Sequence, residues 1–162
     1  MRLRAFTAGD AADCHRVFHR AVHEGAACAY SAEERAAWAP ATRMPDDWGA
    51  RLARHSTWVA LRRGGVCGFL TLGRDGHIDL FYVLPEERGQ GTADRLYEAA
   101  EAEARALGLG WLTTEASLLA RPFLERRGWI CEARQSSIRE GVALTSFRMA
   151  KCLAPPVTPP GE

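Results

Sequence analysis

No run of apolar residues in this 162-residue chain approaches the ~20 positions that a membrane-spanning helix needs, so no membrane partner is expected. No C-x-x-C pair occurs either. The five cysteines, Cys14, Cys28, Cys67, Cys131 and Cys152, are scattered and odd in number. That pattern supports neither a disulfide framework nor a structural zinc site; it fits a reducing, cytoplasmic location and no metal. An excess of charge is also lacking: 21 basic residues face 20 acidic ones, with no basic block interleaved with aromatics. A nucleic-acid partner is therefore not expected. Met1 to Phe6 has no apolar h-region and reads as a first strand rather than a signal peptide.

What is present is regular alternation of strand and helix signals. After the strand Leu3–Phe6, Thr7 and Asp10 mark a helix entry, and Ala11, Cys14, Val17, Phe18, Ala21 and Val22 recur at helical spacing up to Gly25. Ser31 to Glu34 is a second capping pattern, and Asp46 or Asp47 opens a further turn through Leu52. Two apolar strands flank Gly64-Gly65, and Arg74-Asp75-Gly76 turns into a third, His77–Val83. A long helix, the strand Trp111–Glu115, a short helix closed by Gly128 and two final strands around Glu140-Gly141 complete the order β-α-α-β-β-β-α-β-α-β-β. The class is α/β (α+β), a mixed central sheet of about six to seven strands flanked by about four helices. Residues 1–153 form one domain, and the proline-rich residues 154–162 read as a disordered tail.

The most informative stretch runs from Val83 to Ala93. A strand ends at Pro85; a charged loop follows, then Gly89, Gly91 and a helix. Unpaired amides at a glycine-bearing helix start, backed by the helix dipole, form a nest for phosphate or pyrophosphate. A dinucleotide fingerprint would place a third glycine where Asp94 stands, and a Walker loop would end in Gly-Lys-Ser/Thr, which is absent. What remains, Arg88-x-x-Gly91-x-Ala93, resembles the Q/R-x-x-G-x-G/A signature of the GCN5-related N-acetyltransferase (GNAT) superfamily. Ser117 to Trp129 resembles that family's later segment, with Phe123, Glu125, Arg126, Gly128 and Trp129 matching. Two positions depart: Ser117 replaces the usual asparagine, and Leu124 stands where many members carry a proton-donating tyrosine.

The resemblance implies the GNAT fold, acetyl-CoA as cosubstrate, and direct acetyl transfer to an amine in a ternary complex. No cysteine has the setting of a covalent nucleophile. It implies that Arg88, Gly89, Gln90, Gly91, Thr92 and Ala93 hold the pyrophosphate. The strand ahead of them would offer the main chain of Phe81 and Val83 to the pantetheine arm, with Ser117 adding a hydroxyl.

An amine acceptor must lose a proton before attack. By the two-residue strand period, His77, Asp79, Phe81 and Val83 share one face. This makes Asp79, directly or through a water, and His77 the candidate catalytic bases. The bland alternatives are a solvated strand end for His77 and an ion pair from Asp79 to Arg134 or Arg139. In this family the first two helices build the acceptor pocket, which here brings in His19, His23, Tyr30, Trp38 and Trp48; the tryptophans read more simply as core. His23, Tyr30 and Glu115 are the candidate substrate contacts, and Tyr30 and Tyr82 the candidates to replace the missing tyrosine. The acceptor is a small molecule or protein amine, and a homodimer is possible. Leu124 keeps open a different class, a non-catalytic acyl-CoA-binding or sensor module.

Overall fold

A computed structural model describes residues 1–40 and 43–153; the proline-rich segment 154–162 lies outside the described residues. The elements are β1 (Arg2–Ala5), α1 (Ala11–Arg20), α2 (Ala32–Trp38), α3 (Trp48–Ala53), β2 (Ser56–Arg62), β3 (Gly65–Leu72), β4 (His77–Val83), α4 (Thr92–Ala106), β5 (Trp111–Ala116), α5 (Ala120–Glu125), β6 (Ile130–Arg139) and β7 (Val142–Cys152). The expected order is present, with the turn after Asp47 long enough to count as α3. The helix α1 continues through one π turn, Ala21–Gly25.

The strands form one sheet in the order β1-β2-β3-β4-β5-β7-β6. Only β4 and β5 run parallel, as a crossover through α4 requires. Tyr82 stacks edge-on against Phe18 of α1 at 4.9 Å between ring centroids. A Cβ built on Gly68 would meet both Val83 and Leu96 of α4, so Val83 lies on the α4 side. Consecutive strand residues point to opposite faces, so α1 and α4 cover opposite sides of the sheet. Between them lies a core that includes Val17, Val59, Phe69, Leu70, Leu72, Leu96 and Leu112, each at most 1% exposed.

Local chemistry fixes where the chain enters α1. The backbone N–H of Thr7 donates to Asp10 Oδ2 at 2.8 Å, and Arg4 grips both oxygens of Asp10 at 2.7 and 2.8 Å. The Arg4 hydrogen bonds lower the Asp10 pKa to about 2, against the opposing effect of burial. A folded pKa below the unfolded value of ~3.9 makes this contribution fully present above that value and lost as pH falls toward 2. Asp10→Asn should therefore cost about 2 kcal/mol of unfolding free energy at pH 7. In urea titrations the gap between variant and parent should narrow progressively at pH 4 and pH 3.

The consequential irregularity is in β4. Its partners on β3 run Leu72↔Ile78 and then Thr71↔Leu80, so Asp79 is an extra residue with no partner across the strand pair. The Leu80 N–H there donates to the fully buried Thr71 Oγ1 at 2.9 Å. The bulge resets the side-chain alternation. His77 and Asp79 therefore do not share a face with Phe81 and Val83, contrary to the two-residue count. Asp79 turns toward Arg51 of α3, whereas Phe81 packs on Phe123 of α5.

Candidate active site

The start of β4 is pinned to β5. Thr113 N–H donates to Gly76 O at 3.0 Å, and a Cβ at Gly76 (φ +86°) would lie 2.4 Å from Trp111 O. Only glycine permits that approach. The two strands then pair only at His77↔Thr113 and Ile78↔Thr114 before separating. Leu84 N–H points to Cys67 O of β3. By alternation, the main-chain groups of Phe81 and Val83 face the opened edge on the β5 side.

That edge leads into a cleft of about 890 Å³ bounded by Phe81, Val83, Ser117 and Phe123 and, at its far end, by the glycine loop. Gly89 and Gly91 have φ of +74° and +81°, and a Cβ on either would meet nothing within 4 Å. Their role is therefore backbone conformation and room for a ligand rather than packing. Among the described residues, the N–H groups of Gly89, Gly91, Thr92 and Ala93 have no protein acceptor, whereas Gln90 N–H is taken by Glu87 O and Arg88 N–H by Pro85 O. Gln90 and Thr92 are both absent from the lining of the cleft, and Thr92 is fully buried. Thr92 sits at the first turn of α4, its hydroxyl spent on Glu87 at 2.7 Å. Glu87 is in turn neutralised by Arg62 at 2.9 Å. The Arg88 side chain donates to Gly25 O at the end of the π turn, tying the loop to the α1 side. Arg126 and Arg127 line the same cleft; Arg127 pairs with Asp94 and lies 3.7 Å over the Phe123 ring. The free amides of Gly89, Gly91 and Ala93 line the cleft at a helix N-terminus beside Arg126 and Arg127, an arrangement with the chemistry to hold an anion.

Two smaller chambers adjoin this cleft. One, of about 70 Å³, is the gap between β4 and β5 itself and includes Asp79, Phe81, Glu115, Ser117 and Leu124. The other, of about 140 Å³, lies on the α1–α3 side and includes Phe18, Tyr30, Arg51, Glu115, Arg139 and Ser146. Trp38, Tyr82 and Ser117 line all three spaces, so they mark the junction. Ser117 Oγ caps α5 by accepting from Ala120 N–H at 3.1 Å, and its proton remains free to donate. Leu124 is buried at 2% exposure.

The candidate bases are placed less favourably than their positions in sequence implied. Arg51 holds both Asp79 oxygens at 2.8 Å, and His55 Nε2 lies 3.8 Å away. The hydrogen bonds from Arg51 push the Asp79 pKa down, outweighing burial. A carboxylate so occupied is a weak proton acceptor. The ion pair thus exists, with Arg51 rather than Arg134 or Arg139. His77 Nδ1 lies 2.9 Å from Thr113 Oγ1, and the residue borders the chamber on the α1–α3 side.

The other named residues divide in the same way. His23 stacks on His19 at 4.2 Å and donates from Nε2 to Ala39 O at 2.8 Å. It lines none of these three spaces. Tyr30 does border the chamber, but its hydroxyl donates to Thr145 O and accepts from Leu118 N–H, so it is structurally committed. Trp48 is core, its Nε1 donating to Ala11 O at 3.0 Å. Glu115 is exposed and borders both small chambers. Sequence reasoning passed over Arg51, which carried no motif, and named Arg139 only as an ion-pair partner for Asp79; the return of α3 and β6 brings both to the chamber.

The profile of the Acetyltransferase (GNAT) domain family matches residues 26–151. The chain belongs to the GNAT family. Among curated proteins, this GNAT chain is 30% identical over 152 residues to "Uncharacterized N-acetyltransferase YafP" of Escherichia coli (strain K12), covering 92% of this chain and 94% of that one. Among solved structures, a GCN5-related N-acetyltransferase from Rhodopseudomonas palustris is 34% identical with a TM-score of 0.88, over 94% of this chain and 95% of the other. The protein yncA from Salmonella typhimurium, solved with its cofactor acetyl-CoA, shares the fold at 18% identity and a TM-score of 0.68, over 99% and 98% of the two chains. The seven-stranded mixed sheet is that of the GNAT fold.

Proposed function

We propose that this GNAT protein transfers an acetyl group from acetyl-CoA to an amine by direct attack within a ternary complex. The observation that carries the reading is continuity. One cleft runs from the unpartnered amides of Gly89, Gly91 and Ala93 at the α4 N-terminus to the unpaired edge of β4, and there adjoins a chamber with room for a second ligand. The pyrophosphate sits on the amides of Gly89, Gly91 and Ala93, while the buried Thr92 holds the loop through Glu87. The pantetheine arm adds to β4 as a neighbouring strand would, through the main chain of Phe81 and Val83, and Ser117 donates to it. Acetyl-CoA bound by yncA of Salmonella typhimurium, which has the same fold, supports this cosubstrate.

Holding thioester and amine together contributes on the order of 7–11 kcal/mol to lowering the barrier. The amine proton leaves through Glu115, which is exposed and borders both small chambers beside the cleft, with water carrying it onward. Asp79 and Arg51 instead brace the wall. Glu115→Gln should then lower kcat/KM about 100-fold at neutral pH, with the loss shrinking as pH rises and free amine accumulates. Asp79→Asn should give a loss that does not vary with pH, because it removes a brace. Rate profiles of the two variants between pH 6 and pH 10 check this assignment. If only Asp79→Asn shows the pH-dependent loss, the base is Asp79.

Calorimetric titration with acetyl-CoA, followed by release of free thiol in the presence of amines, tests the function as a whole. Tight binding without acetylation of any amine would favour the sensor reading. Nucleotide binding without preference for the coenzyme A moiety would leave only a phosphate-binding domain.

A further inference from the structure

Resting on the acetyl-transfer reading above, we propose that the acceptor is a small amino acid, an amine and a carboxylate on one short skeleton, with the carboxylate held by Arg139. The chamber that would receive it is lined by four groups of formal charge besides His77: Arg51, Asp79, Glu115 and Arg139. Arg51 and Asp79 cancel each other through two 2.8 Å hydrogen bonds. Glu115 and Arg139 have no ion-pair partner among the described residues, so one free carboxylate and one free guanidinium face the same space. A ligand charge taken out of water needs a partner of opposite sign and hydrogen bonds to its remaining lone pairs. This chamber offers one of each sign.

The two free charges are ordered along the path of the reaction. Glu115 borders both the gap between β4 and β5 and the chamber; Arg139 borders only the chamber. The amine therefore lies toward the gap, where the acetyl group arrives, and the carboxylate lies away from it. Arg139 ends β6 beside the β6–β7 hairpin, paired with Val142. From the same hairpin comes the Oγ of Ser146, the buried side-chain polar atom that lacks a hydrogen-bond partner among the described residues. It borders the chamber and can donate to a carboxylate oxygen. Burial dominates the Tyr82 pKa and raises it, with the Trp38 side chain and then the Arg139 charge acting against it. Phe18, Trp38 and Tyr82 supply an apolar wall for the skeleton. The volume of about 140 Å³ is well below the ~300–1,000 Å³ of sites that take drug-sized ligands.

The test compares matched pairs of acceptors on the full chain: the protein amino acids and the primary amines left when each loses its carboxylate. Thiol release gives KM and kcat for each, and acetyl-CoA titration is run in parallel. For at least one pair, the amino acid should have a KM about 10- to 100-fold below that of its amine. In Arg139→Gln that ratio should collapse toward one with the KM for acetyl-CoA unchanged, and Arg139→Lys should restore part of it. Thermal melting of both variants checks that the hairpin remains folded.

Turnover of amines equal to or better than that of every matched amino acid would overturn the proposal while leaving the acetyltransferase reading intact. So would an Arg139→Gln variant with undiminished preference. Absence of turnover with all acceptors despite coenzyme A binding would overturn both.

Discussion

Gly91→Glu is expected to weaken coenzyme A binding at least about 100-fold while the protein stays folded. The reason lies in what surrounds Gly91 in the free protein. A side chain there meets no protein atom within 4 Å, so nothing in the core is displaced. The residue has φ of +81°, and an L-residue in that conformation costs about 1–2 kcal/mol, which in a chain of this size lowers the melting temperature by roughly 2–8 °C. Binding is hit much harder. The glutamate carboxylate would occupy the space that the free amides of Gly89 and Ala93 leave for the pyrophosphate. Like charges a few ångströms apart near a surface repel by about 4 kcal/mol, well beyond the 2.8 kcal/mol of a hundredfold change in affinity. Gly91→Ala separates the two effects: it keeps the backbone strain, adds no charge and should bind coenzyme A within a few-fold of the parent. Calorimetry on the three proteins is sufficient. Equal affinities for parent and glutamate variant would place the diphosphate elsewhere.

The loop was legible in the sequence because its chemistry is local. Pro85, two glycines and an amphipathic helix within a short span specify a strand end, a left-handed turn and a helix start, and each step follows from residue type. The same holds for the strand turns at Gly64-Gly65 and Asp75-Gly76. What the sequence hid was set by pairing across distance. The bulge at Asp79 exists because β3 offers the Thr71 hydroxyl to Leu80 N–H, and no pattern within β4 announces it. One extra residue was enough to move Asp79 off the face that holds Phe81 and Val83. The partner of Asp79 was equally hidden: Arg51 lies 28 residues earlier on α3, while strand reasoning pointed to the sheet arginines. Tyr30 shows the same limit from the other direction. Its type suggested a ligand contact, but its hydroxyl bridges Thr145 and Leu118 and so ties α2's entry to β7 and to the loop before α5.

With Tyr30 occupied and Leu124 apolar, Tyr82 is the phenol left at the junction of the three spaces, and Tyr82→Phe is expected to lower kcat about 10- to 100-fold without changing the Kd for acetyl-CoA. The Tyr82 pKa is pushed up to about 12 by burial, so the hydroxyl keeps its proton through the working pH range. The coenzyme A thiol should resemble a free cysteine thiol, with a pKa of ~8.5. Complete transfer of the phenolic proton to the thiolate is thus uphill by several pKa units. A hydrogen bond from Tyr82 to the developing thiolate is not. Such a bond strengthens only as charge gathers on sulfur, which makes it an interaction of the transition state rather than of bound substrate. Water in the open cleft can complete the protonation after the thiolate has left. Phenylalanine preserves the ring contacts with Phe18 and Phe69, so packing alone should hardly register the change. A fall in kcat with an unaltered Kd and melting temperature would locate the departing sulfur beside Tyr82. An unchanged kcat would mean that solvent stabilises the thiolate unaided, and that the position held by Leu124 needs no substitute.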